Sequence, residues 1–483
     1  MTSNGNARSG VERNGINVIA EDERYGRAGD LFFPWFAANA SVLGLSYGAW
    51  LSAFGGSLRQ SVLAIFLGVL ASFLLVGMIS LAGQRGSAPT MTLSRSAFGP
   101  WGNLVPTAVA YLSLIGWEIV LISIGTLMAR TVARRIGAGD GSLAMAATFV
   151  TMVIIVMASG IRGFPSIMRI QSGLTWATGV LTIGYLFLVA DHIHPEVVLE
   201  RPEASVSAMV GLFVFCLTSF GLSWASCAAD YSRYLPRRVS GKKVVSVTVF
   251  GGSLPILALV MTGLFLSASD RQLAGHIASD PIGALTGALP TWYVLPFAMV
   301  ALLGLLSGAI LDIYSSGLTL LNLGLPLKRW QAVAVDGALM MAGSAYMVWF
   351  APGFLTVFQA FLLALGVPLA AWIGVFLADF AQRQGQYPDA TAPEEMPHRN
   401  RLVPLVLMAL GTTVGWGLVT NPTLPVLGFL LPWFGDPEGH LARSGAGVLI
   451  AMSIGFLGSF LIHQVSSCHR LEAAFGGSHA RQS

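Results

Sequence analysis

The chain predicts an all-α polytopic membrane protein with twelve transmembrane helices. Three observations carry this. First, 54% of its 483 residues are hydrophobic and only 10% are charged, with a mean hydropathy of +0.70, a balance that leaves too little polar surface for a water-soluble domain. Second, apolar stretches of spanning length recur along the chain; a hydrocarbon core about 30 Å thick needs roughly 20 apolar residues per helix. Third, one short phrase occurs twice, as Gly44-Leu45-Ser46-Tyr47 and as Gly221-Leu222-Ser223-Trp224, each inside a long apolar stretch. Spans interrupted by Gly and Ser at matching places in two halves of a chain point to a midplane binding site between inverted repeats.

Taken in order, residues 1–30 are polar and run directly into an apolar stretch, so they read as a tail rather than a signal peptide. Spans follow at 31–56, 58–82, 103–129, 142–160, 171–190, 207–228, 244–268, 293–323, 330–350, 353–378, 402–420 and 443–463, with a second tail at 464–483. Helices are the spanning structure that this pattern permits. The Gly-, Pro- and hydroxyl-rich stretch 86–102 reads as an ordered loop, with Arg95 as its candidate anchor, and 269–292, with Pro281 and Pro290, as a short extramembrane helix. Cys216, Cys227 and Cys468 are odd in number and two share one span, which favours buried packing thiols over a disulfide framework.

Orientation follows the basic residues. With both termini in the cytosol of a plasma-membrane protein, 20 of the 27 Lys and Arg lie on the inner side, and the cluster at 130–135 is the local exception. The net charge of +4 is then a matter of topology and gives no reason to expect nucleic-acid binding.

Particular residues carry a resemblance. The first span reads Trp35-Phe36-Ala37-Ala38-Asn39, the loop after span two Ser94-Arg95-Ser96-Ala97-Phe98-Gly99, span three Ile115-Gly116-Trp117, and the end of span six Ala229-Asp230-Tyr231-Ser232-Arg233-Tyr234-Leu235-Pro236. In this order they resemble the nucleobase:cation symporter-1 family of cytosine, purine, allantoin and hydantoin permeases, over nearly the whole chain. The resemblance implies a LeuT-type 5+5 inverted repeat, with 31–190 and 207–378 as the two repeats and 402–463 as two appended helices. It also implies a secondary transporter that imports a nucleobase or related heterocycle by proton or sodium symport, with no cofactor. An allantoin, hydantoin or vitamin permease on the same fold is the alternative substrate reading.

A flat heterocycle is best held between aromatic faces with a few polar groups at its rim. Trp117, Phe220 and Trp224 could supply the faces, although any one of them could equally be a packing or interfacial aromatic. The resemblance singles out Trp117 as the stacking residue. It also places the second stacking aromatic at Gly221, and two edge-reading amides at Leu121 and Ile313, so those groups are missing here. Asn39, Ser41 and Ser223, or exposed backbone at broken spans one and six, would then read the polar edge, and a ligand less polar or larger than cytosine is implied.

An ionised carboxylate deep in a span is costly and marks a functional position. Asp312 lies about twenty residues into span eight; the alternative is that the span ends early and Asp312 sits near the headgroups. Glu118 raises the same question, but it points about 100° away from Trp117. For a sodium ion, the resemblance assigns the carbonyls of Ala37 and Ala40 and the span-eight positions Gly304, Ser307 and Gly308. One hydroxyl survives there, at Ser307. Asp312 shares a helical face with Gly308 and can take a proton instead, so proton coupling is favoured and sodium is the alternative. Asp230 and Arg233, three residues apart, are a candidate gate latch or a plain helix-end charge pair.

Other function classes find little support. The eight histidines (His192, His194, His276, His398, His440, His463, His469 and His479) fall in loops, tails or a span end, and no metalloprotease-like His spacing or paired carboxylates appear. Charged rings or a filter sequence, as a channel would need, are absent. A membrane ligand sensor on the same scaffold is the remaining alternative of another class, and protein partners are not indicated.

Overall fold

The computed structural model describes residues 11–270, 272, 284, 285, 287, 289–351, 353–387, 402–421, 423–435 and 439–479. Most of the expected extramembrane helix at 269–292, including Pro281, lies outside these residues, as do 388–401 and 480–483.

In hydrocarbon each backbone group must be satisfied within its own segment, and the regular structure of the described residues is accordingly helical. In order the helices are α1 (Phe32–Asn39), α2 (Val42–Leu51), α3 (Leu58–Gly86), α4 (Thr90–Gly102), α5 (Leu104–Arg135), α6 (Ser142–Arg162), α7 (Phe164–Val189), α8 (Pro195–Leu199), α9 (Val206–Leu217), α10 (Ser223–Ala225), α11 (Ala228–Ser232), α12 (Gly241–Ser269), α13 (Thr291–Asn322), α14 (Arg329–Ala345), α15 (Phe354–Ala364), α16 (Gly366–Gln382), α17 (Leu402–Gly417), α18 (His440–Ser444) and α19 (Gly447–His479). Among the described residues, nine helical segments are long and apolar enough to cross a membrane, and three shorter apolar ones lie at Val42–Phe54, Leu402–Gly417 and Gly447–Ile462.

Several boundaries differ from expectation. The helix expected at 171–190 begins at Phe164, because Pro165 fits the first helical turn and Gly163, at φ 85°, turns the chain out of α6. The stretch 86–102 is largely helix α4 rather than loop, kinked where Gly99 adopts φ 71° before Pro100. The start of the C-terminal tail continues α19. The N-terminal segment is docked rather than free: Glu12 N donates to Arg162 O at 3.1 Å, Ile19 N to Ser87 O at 2.8 Å and Tyr25 N to Tyr234 O at 2.8 Å.

The repeated phrase does not mark the breaks. The first span is interrupted at Ala40 (ψ 63°), where Ser41 caps α2 by accepting from Leu43 N. The sixth is widened into a π turn at Thr218–Leu222 and broken at Ser226–Cys227, where Cys227 has φ −131° and ψ 4°. The glycines of the phrase serve close packing instead. A Cβ on Gly44 would lie 2.9 Å from Leu259 Cβ, and one on Gly221 would lie 2.5 Å from the Ser72 backbone. One turn beyond Gly44, Gly48 abuts Val260 O while Gly263 abuts Leu45 O, which presses α2 onto α12.

The interior is built around α1, α5 and α13. α13 packs along α5, α1 lies against α7, α12 and α13, α11 packs on α3, and α16 packs with α17 and α19 at the side.

Candidate functional site

Beside the two breaks lies a small cavity of about 80 Å³, below the usual size of a small-molecule site, so it must widen to admit a ligand. The first break contributes Ala38, Asn39, Ser41, Leu43, Gly44 and Tyr47; α5 contributes Ser113, Leu114, Trp117 and Leu121. Ser219, Phe220, Ser223 and Trp224 come from the sixth span, Ile256 from α12, and Gly308 and Asp312 from α13.

The walls are aromatic and braced. Trp224 meets Trp35 edge to face at 5.8 Å, Phe220 meets Tyr47 edge to face at 5.6 Å, and Trp117 is half-buried on α5. Such edge contacts fix ring planes, so the faces are preset rather than free to rotate. The polar rim is thin. Asn39 Nδ2 is already given to Trp35 O at 2.8 Å, and Ser223 Oγ to Phe220 O at 3.5 Å. Asp312 is not tied up in this way: it is 3% exposed, lines the cavity and, like the Ser113 and Ser219 hydroxyls, has no hydrogen bond to a described residue. α13 continues ten residues beyond it, about 15 Å, so Asp312 lies inside the bundle rather than near the helix end.

Two of the expected substrate residues sit elsewhere. Ile313 is fully buried against Gly160 of α6, because one residue past Asp312 turns it about 100° from the cavity. Gly221 faces α3, where its N–H donates to Ser72 Oγ at 2.9 Å. Leu121 does reach the cavity and packs 3.0 Å from where a Cβ of Gly308 would stand, which leaves an apolar wall where the resemblance places an amide. Tyr47, Ser113 and Ser219 were not anticipated. Ser113 was readable, since it stands one turn before Trp117 on the same face.

The residues assigned to a cation are near one another but do not form an open oxygen cage. The break leaves the carbonyls of Ala37, Ala38 and Ala40 without a backbone donor from the next turn, and Gly304 is pressed against Ala40 O. Ser307, however, is engaged: its Oγ donates to Gln171 Oε1 at 2.5 Å, and Gln171 Nε2 donates back to Ser307 O at 3.1 Å. Gln171 had no sequence signal beyond being an amide in an apolar span. Among the described residues no cluster of three or more His, Cys, Asp or Glu could hold a metal.

Asp230 and Arg233 do not pair with each other. Asp230 caps α4, accepting from Thr90 N at 2.8 Å and Thr90 Oγ1 at 3.1 Å, while Thr90 Oγ1 accepts from Ala229 N at 3.0 Å. Two helix N-termini thereby cap each other. Arg233 turns to Glu12 of the N-terminal segment, with NH2 2.9 Å from Oε1. The same Oε1 accepts from Tyr234 OH at 2.6 Å and Tyr314 OH at 3.1 Å, and Oε2 from Phe164 N at 2.7 Å. Arg329 donates to Glu12 O at 3.0 Å. Glu12 thus ties together the start of α7, the chain just after α11, Tyr314 in α13 and, through its backbone carbonyl, the start of α14. Burial and the Glu12 charge push the nearby Tyr25 phenol up to about 12.

The family profile described as permease for cytosine/purines, uracil, thiamine, allantoin matches residues 18–392. The chain belongs to this family. It is therefore a membrane permease for a small nucleobase-like molecule and not an enzyme. A putative purine-cytosine permease of Bacillus subtilis, YxlA, is 25% identical over 395 residues, covering 78% of this chain and 81% of its own length. The purine-cytosine permease fcyB of Emericella nidulans is 22% identical over 468 residues, covering 93% and 87%. In fold the permease is similar to Mhp1, a nucleobase-cation-symport-1 family transporter solved in a closed conformation with bromovinylhydantoin bound: TM-score 0.69 at 15% identity, covering 93% of this chain and 96% of that one.

Proposed function

We propose that this permease imports a flat heterocycle, a nucleobase or a bulkier relative, across the plasma membrane by proton symport, with the cavity at the two breaks as its binding site. The observation that carries the reading is an aromatic-walled cavity with one unpaired carboxylate, Asp312, on its rim. The relatives named for purine and cytosine and the hydantoin-bound neighbour support a planar ring as cargo. Trp117, Phe220 and Trp224 are its stacking faces, and Asn39, Ser41 and Ser223 with the opened backbone read its edge. The apolar wall at Leu121 favours a ligand less polar than cytosine.

In this reading the chain has twelve spans. α1 with α2, and α9 with α10 and α11, are the first and sixth, spans one to five and six to ten are inverted repeats, and α17 and α19 are appended. Both termini are cytosolic, which makes the Glu12 cluster an inner latch on Arg233. Alternating access then needs that latch to open.

Proton coupling is favoured over sodium by the residues present. The Gln171 amide lies against both the hydroxyl and the carbonyl of Ser307, and the next position that could carry a hydroxyl is Gly308. The carbonyls of Ala37 and Ala40 are left as the main oxygens for a sodium ion. Uptake should rise as external pH falls, collapse with a protonophore and be indifferent to replacing sodium by choline. Asp312→Asn should keep substrate exchange and lose gradient-driven accumulation. Strict sodium dependence, with Asp312→Asn behaving like the parent, would return Ala37, Ala40 and Ser307 as the cation site.

Substrate class is tested by a thermal-shift screen of the purified permease against cytosine, purines, uracil, allantoin and substituted hydantoins, since a ligand at 100 times its Kd stabilises by about 2.7 kcal/mol. A shift with one ring class identifies the cargo. No shift with any of them would contradict the heterocycle reading.

A further inference from the structure

At the edge of the α5 face that lines the cavity, one turn from Leu114 and Leu121, begins a second group of carboxylates inside the bundle. Glu118, next to Trp117 but turned about 100° from it, is fully buried; among the described residues its carboxyl oxygens have no hydrogen bond of good geometry, although the Ser316 hydroxyl bears on them. Asp336 on α14 is also fully buried. Its Oδ1 accepts from Tyr111 OH at 2.6 Å and its Oδ2 from Ser316 Oγ at 3.2 Å. Tyr111 stands two turns before Glu118 on α5, and Ser316 one turn after Asp312 on α13, so the three helices bring these groups to one seam. The charges that bear on Glu118 are those of Asp336 and, more weakly, Asp312.

Among the described residues, neither acid has a cationic partner. On α14, Arg329 is bound to the carbonyls of Gly160 and Ile161 and to Glu12. On α4, Arg95 reaches Asn322 O, and on α16, Arg383 pairs with Asp379. Arg162 closes α6, and Arg130, Arg134 and Arg135 lie at the other end of α5, about 18 Å or more from Glu118. On α13 the titratable neighbours are Asp312 and Tyr314, the latter turned to Arg233; Tyr346 follows the end of α14. Burial without a cationic partner disfavours joint ionisation of two neighbouring carboxylates, so the two can hold a proton between them.

We propose that Glu118 and Asp336 form a second proton-holding site, beside the substrate cavity at the seam of α5, α13 and α14 and linked to Asp312 along α13, which carries the driving proton between the cavity and the N-terminal face. This rests on the proton-coupled reading above. Tyr111 is the positioning residue, donating to Asp336.

The test uses the full chain in proteoliposomes with an inward gradient of one pH unit, which can drive about tenfold accumulation per coupled proton, and with whichever heterocycle the thermal-shift screen selects. Glu118→Gln and Asp336→Asn should retain substrate counterflow at the parental rate but lose that tenfold accumulation. Glu118→Asp should restore it in part, and Tyr111→Phe should shift the pH profile without abolishing exchange. Infrared difference spectra of the purified parent should show a protonated carboxylic acid band that changes on ligand binding and is missing in Glu118→Gln or Asp336→Asn. That spectral arm decides the matter if a variant inserts poorly, because Glu118→Asp then carries the comparison. Parental accumulation and an unchanged band in both variants would overturn the acid pair alone. Absence of proton drive in the parent would overturn the proton-coupled reading, and this site with it.

Discussion

Trp117→Ala is expected to weaken substrate binding roughly 5- to 150-fold, the range that corresponds to the roughly 1–3 kcal/mol of a base stacked on an aromatic ring, while the protein still reaches the membrane. The expectation rests on its place in the cavity wall. Trp117 lines the cavity together with Phe220 and Trp224, and those two rings are held by Tyr47 and Trp35. A planar ligand can be gripped only if an opposing face exists, and α5 supplies it. Trp117→Phe keeps an aromatic face of smaller area and should retain part of the affinity. Saturation curves for uptake, together with ligand-induced thermal shifts, separate lost binding from lost insertion. Parental affinity in Trp117→Ala would remove the residue from the binding site.

Glu12→Ala should destabilise the fold by about 3–5 kcal/mol, the size expected when one partner of a buried ion pair is removed and the other is left behind. Arg233 is fully buried and Glu12 is 4% exposed at the side chain, so the guanidinium keeps Gly15 O, Asn14 O and Tyr314 OH as neighbours but loses its counter-charge. Glu12→Gln keeps the shape and some hydrogen bonds, and should cost less. A lower melting temperature in detergent is the first readout. The second is faster labelling of a cysteine introduced at Ser315 from the side of the N-terminal segment, since the latch joins α7, α11, α13 and α14. An unchanged melting temperature and unchanged labelling in Glu12→Ala would reduce the cluster to a surface contact.

How much of this was legible in the sequence depends on the range of the interaction. The spans were legible because hydrocarbon demands an apolar run and a self-satisfied backbone, and every expected stretch contains helix. Asp312 was found by the same logic, since a carboxylate in a span is expensive. That rule applied equally to Asp336, which was passed over as part of the ninth span. The breaks were misplaced because glycine has two uses. In Gly44 and Gly221 it allows helices to touch, whereas the real interruptions at Ala40–Ser41 and Ser226–Cys227 carry ordinary residues, and Ser41 as a cap is the one local sign. The Arg233 partner was not legible at all. The three-residue spacing offered Asp230, but Glu12, far away in the chain, arrives through tertiary docking, and Asp230 is taken by the start of α4. The exchange between Gln171 and Ser307 is of the same kind, a long-range contact between spans five and eight.

Counterflow in proteoliposomes tests the central claim most directly. Vesicles loaded with unlabelled heterocycle and diluted into a trace of the labelled compound at equal pH on both sides should accumulate label transiently, above equilibrium, because a carrier with one alternating site exchanges internal for external ligand. Protein that binds the heterocycle, shown by its thermal shift, yet gives no overshoot would contradict a carrier and leave a membrane sensor built on a permease scaffold.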